Sequence, residues 1–181
     1  MTTSVSTKKL SIKFQTLGAV ICIIAAVSIP QILHLLGAAT GVGTSLGEIF
    51  LPMHLPIILA GLLAGPYAAG AAGFLSPLIS FMLTGMPKQQ NLLFMMIELT
   101  VYGICAGILR DVKLNSVLKV LITQGAGRIV RISAMAAGLY LFDLQVSPLS
   151  VLYGIKTGLI GIILQLILIP LICVRIKNAD K

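Results

Sequence analysis

Four ionisable residues stand inside long apolar stretches of this chain: Glu98, Arg128, Arg131 and Lys156. A charge at bilayer depth costs at least about 2.5–3.5 kcal/mol on insertion scales, so such residues usually face a partner or a cavity. Arg128 and Arg131 are three apart and share one helix face. One reading is a structural ion-pair network, with Glu98 neutralising one base while another helps to pack helices. The sharper reading is a pocket for a small anionic ligand. Three bases against one acid leave two positive charges unmatched. A ligand carboxylate or phosphate would offset them, with arginine supplying bidentate geometry. A third option places one base at a subunit contact, or lets it reach the interface by snorkelling.

Other polar residues fall where they could line the same pocket. Glu48 and His54 flank Leu51-Pro52-Met53, Gln89, Gln90 and Asn91 precede an apolar run, and Tyr102 follows Glu98 by four, on its helix face. A histidine beside prolines is often structural, and 89–91 reads equally well as a solvated loop. No residue is assigned a catalytic role. There is no G-x-x-x-x-G-K-[ST] phosphate loop, and Gly154-Ile155-Lys156-Thr157 is only an echo of one. No HExxH occurs, and His34 and His54 are the only histidines available for a Ser/His/Asp arrangement. No cofactor or metal is expected. Cys22, Cys105 and Cys173 are isolated in apolar runs and read as packing residues. A chain with no visible way to hydrolyse ATP must draw on a partner or an ion if it drives uptake against a gradient.

The elements that carry these residues follow from composition. Of 181 residues, 57% are hydrophobic and 10% are charged, with a mean hydropathy of +1.06. A soluble domain carries about 25% charged residues. The expectation is an all-α, polytopic integral membrane protein, a single membrane domain over 1–181. A spanning helix needs about 20 residues, which leaves room for six spans, at about 16–36, 55–64, 68–83, 92–109, 117–142 and 149–174. The stretch 37–47 reads as a loop. Gly65-Pro66-Tyr67 breaks the long uncharged stretch that precedes Lys88.

Charge sets the orientation. With the N-terminus cytoplasmic, the inside segments hold Lys8, Lys9, Lys13, Arg110, Lys113, Lys119, Arg175, Lys177 and Lys181, and the outside segments hold Lys88 alone. That bias places both termini in the cytoplasm. The same bias explains the net charge of +8 without nucleic acid, which would require basic patches on a soluble surface. The apolar run of the first segment is too long for a secretory signal peptide and is expected to be retained. In this orientation Glu98, Arg128, Arg131 and Lys156 lie in the outer half of the membrane or near its midplane. Gly18, Cys22 and Ala26 recur every four residues in the first span, Gly61 and Gly65 in the second, and Gly103 and Gly107 in the fourth. Such spacing lets helices approach closely, within the chain or, for the first span, against another membrane subunit.

Six short spans, the stretch Leu51-Pro52-Met53-His54-Leu55-Pro56-Ile57-Ile58-Leu59-Ala60-Gly61-Leu62-Leu63-Ala64-Gly65-Pro66 and the later Glu98-Leu99-Thr100-Val101-Tyr102-Gly103 together carry a resemblance. The chain resembles the substrate-binding S components of energy-coupling factor (ECF) vitamin transporters over nearly its whole length. The resemblance implies a subunit that binds a vitamin with high affinity near the extracellular side of the bacterial cytoplasmic membrane. It also implies partners: a transmembrane coupling subunit joined to two ATPase subunits. The docking surface would be the first span, although Gly18 and Cys22 replace alanine there and only Ala26 matches the family's pattern. Toppling of the whole subunit to release its ligand is a further implication. The competing class is a small membrane-embedded enzyme or membrane assembly factor. The basic excess favours a carboxylate or phosphate bearer, such as a pantothenate-like or folate-like vitamin, with neutral pyrimidines, pyridoxine and a cobalamin precursor left open.

Overall fold

The computed structural model describes residues 10–43 and 45–179, with side chains through Ile176; Lys8, Lys9 and Lys181 lie outside the described residues, as does the side chain of Lys177. Every regular element among them is an α-helix: α1 (Ile12–Ala39), α2 (Ser45–Phe50), α3 (His54–Ala64), α4 (Pro66–Thr84), α5 (Gln89–Leu109), α6 (Ser116–Phe142), α7 (Ser150–Thr157) and α8 (Leu159–Ala179). The ends follow local chemistry. Ser11 caps α1 by accepting the Phe14 N–H at 3.2 Å, and Asn115 caps α6 by accepting the Val117 N–H at 2.9 Å, each satisfying an orphan donor of a first turn. Pro66 opens α4, where its missing N–H costs nothing. Gly85, at φ 70°, closes α4 in the left-handed region that glycine enters without strain.

Five helical segments are long and apolar enough to cross a membrane: Ile12–Ala39, Ser45–Ala64, Pro66–Thr84, Gln89–Leu109 and Leu159–Ile176. Helix α6 has 27 residues but is too polar to join them, because Lys119, Arg128 and Arg131 interrupt it. Three boundaries differ from the sequence expectation. The second span takes in α2 as well as α3, so only 40–44 separates it from α1. Gln89, Gln90 and Asn91 form the first turn of α5 and are not a loop. The last span is divided: Gly158 ends α7, and α8 starts afresh at Leu159. Gly154 and Gly158 both lower helix propensity there, and Gly158 faces the Leu51 side chain at a distance that leaves no room for a Cβ.

Helices α3, α4 and α5 form the tightest part of the fold. A Cβ on Gly103 would overlap the backbone of Ala69, and one on Gly107 would overlap Pro66, so α4 lies backbone to backbone against α5. Gly61 approaches Ala106 and the Gly103 carbonyl in the same way. The small-residue spacings in these segments therefore serve internal packing. So does much of the α1 pattern: Ala26 is fully buried, Cys22 nearly so, and a Cβ on Gly18 would come within 2.7 Å of that of Ala64 on α3. The core these helices share is filled by Ile57, Ile58, Leu99, Tyr102, Val120 and Ile169.

The chain crosses back and forth, so its two ends differ. Lys13, Arg110, Lys113, Lys119 and Arg175 stand where α1 starts, where α5 meets α6 and where α8 finishes. Leu10 touches Gly65 at this end, and the Lys119 Nζ donates to the Arg110 carbonyl at 2.8 Å. The opposite end holds the α1–α2, α4–α5 and α6–α7 connections, with Lys88 in the second of them.

Candidate functional site

Two helices present matching stripes to each other. On α5, Asn91, Met95, Glu98 and Tyr102 are spaced by four, three and four; on α6, Gln124, Arg128, Arg131 and Met135 repeat the same spacing. That spacing keeps each set on one helix face. Gly127 on α6 lets the stripes close, because a side chain there would strike the Tyr102 ring.

Glu98 sits at the centre with no solvent exposure. Its Oε1 accepts the Tyr102 hydroxyl at 2.8 Å and lies 3.0 Å from Arg128 Nη1, while its Oε2 accepts from Arg131 Nη1 at 2.6 Å. Burying a lone carboxylate would be prohibitive. Two guanidinium groups and a hydroxyl replace its water. One carboxylate cannot neutralise two guanidinium groups, so the cluster keeps one unmatched positive charge. His54 stands beside it, Nε2 4.0 Å from Glu98 Oε1 and its ring 5.3 Å from that of Tyr102. His54 is buried, and neither of its ring nitrogens has a hydrogen-bond partner; the same holds for Arg131 Nε.

Two cavities open against this cluster at the end away from Arg110 and Lys119. The smaller, about 300 Å³, is walled by Met53, His54, Met86, Met95 and Arg131, with Pro30 and His34 from α1. The larger, about 460 Å³, is walled by Arg128, Arg131 and Met135 together with the polar side chains of Gln90, Gln145, Ser147 and Ser150. Glu48, Leu51, Asn91 and Arg131 belong to both walls, so the α2–α3 connection runs between the two chambers. Leu51 has φ 47°, a strained value for a branched residue. Its carbonyl accepts from Gln165 Nε2 at 3.3 Å, and Gln165 Oε1 accepts from Gln124 at 2.9 Å, tying the connection to α8 and α6.

The structure therefore gathers Glu48, His54, Gln90, Asn91, Arg128 and Arg131 at the cavities, and holds Glu98 and Tyr102 directly behind them. It does not bring Lys156 there. Lys156 is exposed on α7, and the α7 face that meets the larger cavity carries Ser150, Tyr153, Gly154 and Thr157. Those four, at i, i+3, i+4 and i+7, were legible as a helical stripe that excludes Lys156. His34, Gln145 and Ser147 also went unassigned in the sequence. A histidine within an apolar run was a usable signal for the first, whereas the α6–α7 connection offered none. Among the described residues, no group of three or more His, Cys, Asp or Glu side chains is arranged to hold a metal ion. Gly18 and Cys22 lie along an apolar groove of about 270 Å³ between α1 and α3, whereas Ala26 belongs to the core.

Compared with family models, curated proteins and solved structures, the chain matches none.

Proposed function

We propose that the chain is the high-affinity substrate-binding subunit of an ECF-type importer for a vitamin or related micronutrient. The observation that carries this reading is the unbalanced cluster of Arg128, Arg131 and Glu98 in the wall of two adjoining cavities. Purely structural ion pairing would have no use for a positive charge left over beside open space of ligand size, since binding pockets typically enclose about 300–1,000 Å³. In this reading α6 is the sixth crossing. At about 1.5 Å per residue its length exceeds a hydrocarbon core of about 30 Å, and its two arginines face α5 and the cavities. The end bearing Lys13, Arg110, Lys113, Lys119 and Arg175 is cytoplasmic by the positive-inside rule, and the cavities open outward. The coupling subunit, with its two ATPase subunits, supplies the energy that a chain without a phosphate loop cannot, and the groove over Gly18 and Cys22 is where it docks.

Equilibrium binding tests the reading. The purified chain is expected to bind a vitamin at one site and return it unchanged, to hydrolyse no ATP, and to support rapid uptake only in cells that also make the coupling module. Chemical conversion of the bound compound, or fast uptake by the chain alone in liposomes, would overturn it in favour of an enzyme or an independent carrier.

A further inference from the structure

The charge of the cavity walls limits what can fill them, a step that rests on the binding reading above. The walls hold three cations, Lys88, Arg128 and Arg131, and one carboxylate, Glu48; Glu98 stands directly behind the arginines. Counting the Lys, Arg and Glu side chains alone, the site carries a net charge of plus one. Restricting the count to the buried cluster of Arg128, Arg131 and Glu98 gives the same value. A neutral ligand would leave that charge without a counter-charge. A phosphate monoester, with a charge of about −1.5 to −2 near neutrality, would overshoot it and add to the repulsion from Glu48 and Glu98.

Position adds a second constraint. Of the three cations in the walls, only Arg131, which is partly buried, faces both chambers, and its Nη1 is engaged by Glu98. Its Nε and both His54 nitrogens are buried without partners. The larger chamber offers neutral hydrogen-bonding groups on Gln90, Gln145, Ser147, Ser150 and Thr157 and, apart from Glu48, no acidic side chain. We infer that the ligand is a monocarboxylate with no other charge, its carboxylate on Arg131 and its body, bearing hydroxyl or amide groups, in the larger chamber.

The test equilibrates the purified full-length chain in detergent with an equimolar mixture, and measures retained compounds by mass spectrometry after gel filtration. The mixture holds matched charged and neutral pairs: nicotinate and nicotinamide, biotin and its amide, lipoate and its amide, pantothenate and pantothenol. Thiamine and pyridoxal phosphate are added as a cation and a phosphate bearer. The expected result is retention of one acid at least about tenfold over its neutral partner, the discrimination that about 1.4 kcal/mol provides. Arg131→Gln should weaken that acid by about 30-fold or more, as for a desolvated pair losing one charge, with Arg131→Lys recovering part of the loss. Because the acid and its neutral partner are compared on the unaltered chain, the result does not depend on either variant folding. Equal retention of a neutral partner, or retention of the cation or the phosphate bearer, overturns the charge assignment and leaves the binding reading standing. Retention of nothing overturns both.

Discussion

Helix α5 is two helices in function. From Gly103 to its C-terminus it packs backbone against backbone on α3 and α4, with Gly103 and Gly107 at the closest approaches. From Asn91 to Tyr102 it also faces α6 across a charged cluster and lines two cavities, while its other side still meets α4 where Gly73 lies against the Leu99 backbone. Each half has one buried face, but the two faces exclude water by opposite means. The glycine half removes side chains at Gly103 and Gly107 until backbone meets backbone there. The other half keeps large polar side chains and satisfies them against one another, leaving room beside them. In a membrane, where apolar surface gives helices little reason to associate, the first half supplies a rigid scaffold. The second concentrates the groups whose only good partners are each other or a ligand.

The largest expected effect is in the charged half. Glu98→Gln leaves Arg128 and Arg131 facing each other without a counter-charge. Removing one partner of a buried ionic cluster typically costs about 3–5 kcal/mol, so this variant should lose most of its folded yield in detergent. If its thermal midpoint matches that of the parent, the cluster is better solvated than its burial indicates, and the contrast between the halves fails.

Next comes the glycine half. Gly103→Ala places a methyl group into the backbone of Ala69. Overpacking of this kind costs about 1–3 kcal/mol, and here it cannot be relieved by turning a flexible side chain. Ligand affinity should fall little in the fraction that folds, because the cavities lie toward the other end of α5. A loss of affinity larger than the loss of stability would show that the scaffold and the site are coupled along the helix.

Comparable in size is the tie from α8 to the α2–α3 connection and α6. Gln165 touches neither chamber but holds the Leu51 carbonyl and the Gln124 amide. Gln165→Leu should destabilise by about 1–3 kcal/mol, the usual cost of leaving buried partners unmatched. It should also weaken ligand binding, since Leu51 walls both chambers at a strained φ that its contacts must maintain. Unchanged affinity in a destabilised variant would make Gln165 a structural residue only.

How much of this was legible in the sequence depends on the kind of signal each residue gives. The all-helical, membrane-spanning class was, because long uncharged stretches and Gly-Pro breaks have a single physical meaning in a chain this apolar, whereas α2 and the break at Gly158 were not. Glu98, Arg128 and Arg131 were, because charge is so costly at depth that it must be explained. The spacing could not tell which arginine pairs with Glu98, and both do. Lys156 carried the same signal of charge in an apolar run, but Gly158 ends α7 just after it, so the lysine sits on the exposed side of a short helix. Depth inferred from an unbroken span misled there. Gln165 was invisible because a neutral amide in an apolar run is only a weak exception. Its importance comes from a contact more than a hundred residues away in sequence.

The smallest effect has the opposite sign and tests the comparison on a single helix. Gly125 and Gly127 are two residues apart on α6. Gly127 is buried against the Tyr102 ring, whereas a Cβ on Gly125 would meet nothing within 4 Å. Glycine inside a helix costs about 0.5–1 kcal/mol relative to alanine, because the unfolded chain loses more freedom on folding. Gly125→Ala should therefore raise the thermal midpoint slightly, with ligand affinity unchanged. Gly127→Ala should lower it by pressing on Tyr102 and, through its hydroxyl, on Glu98. Thermal unfolding of the two variants side by side in one detergent decides the matter. Equal shifts in the same direction would mean that helix propensity, and not the meeting of α5 and α6 at Tyr102, governs this region, and that the glycine at 127 is not what lets the charged stripes close.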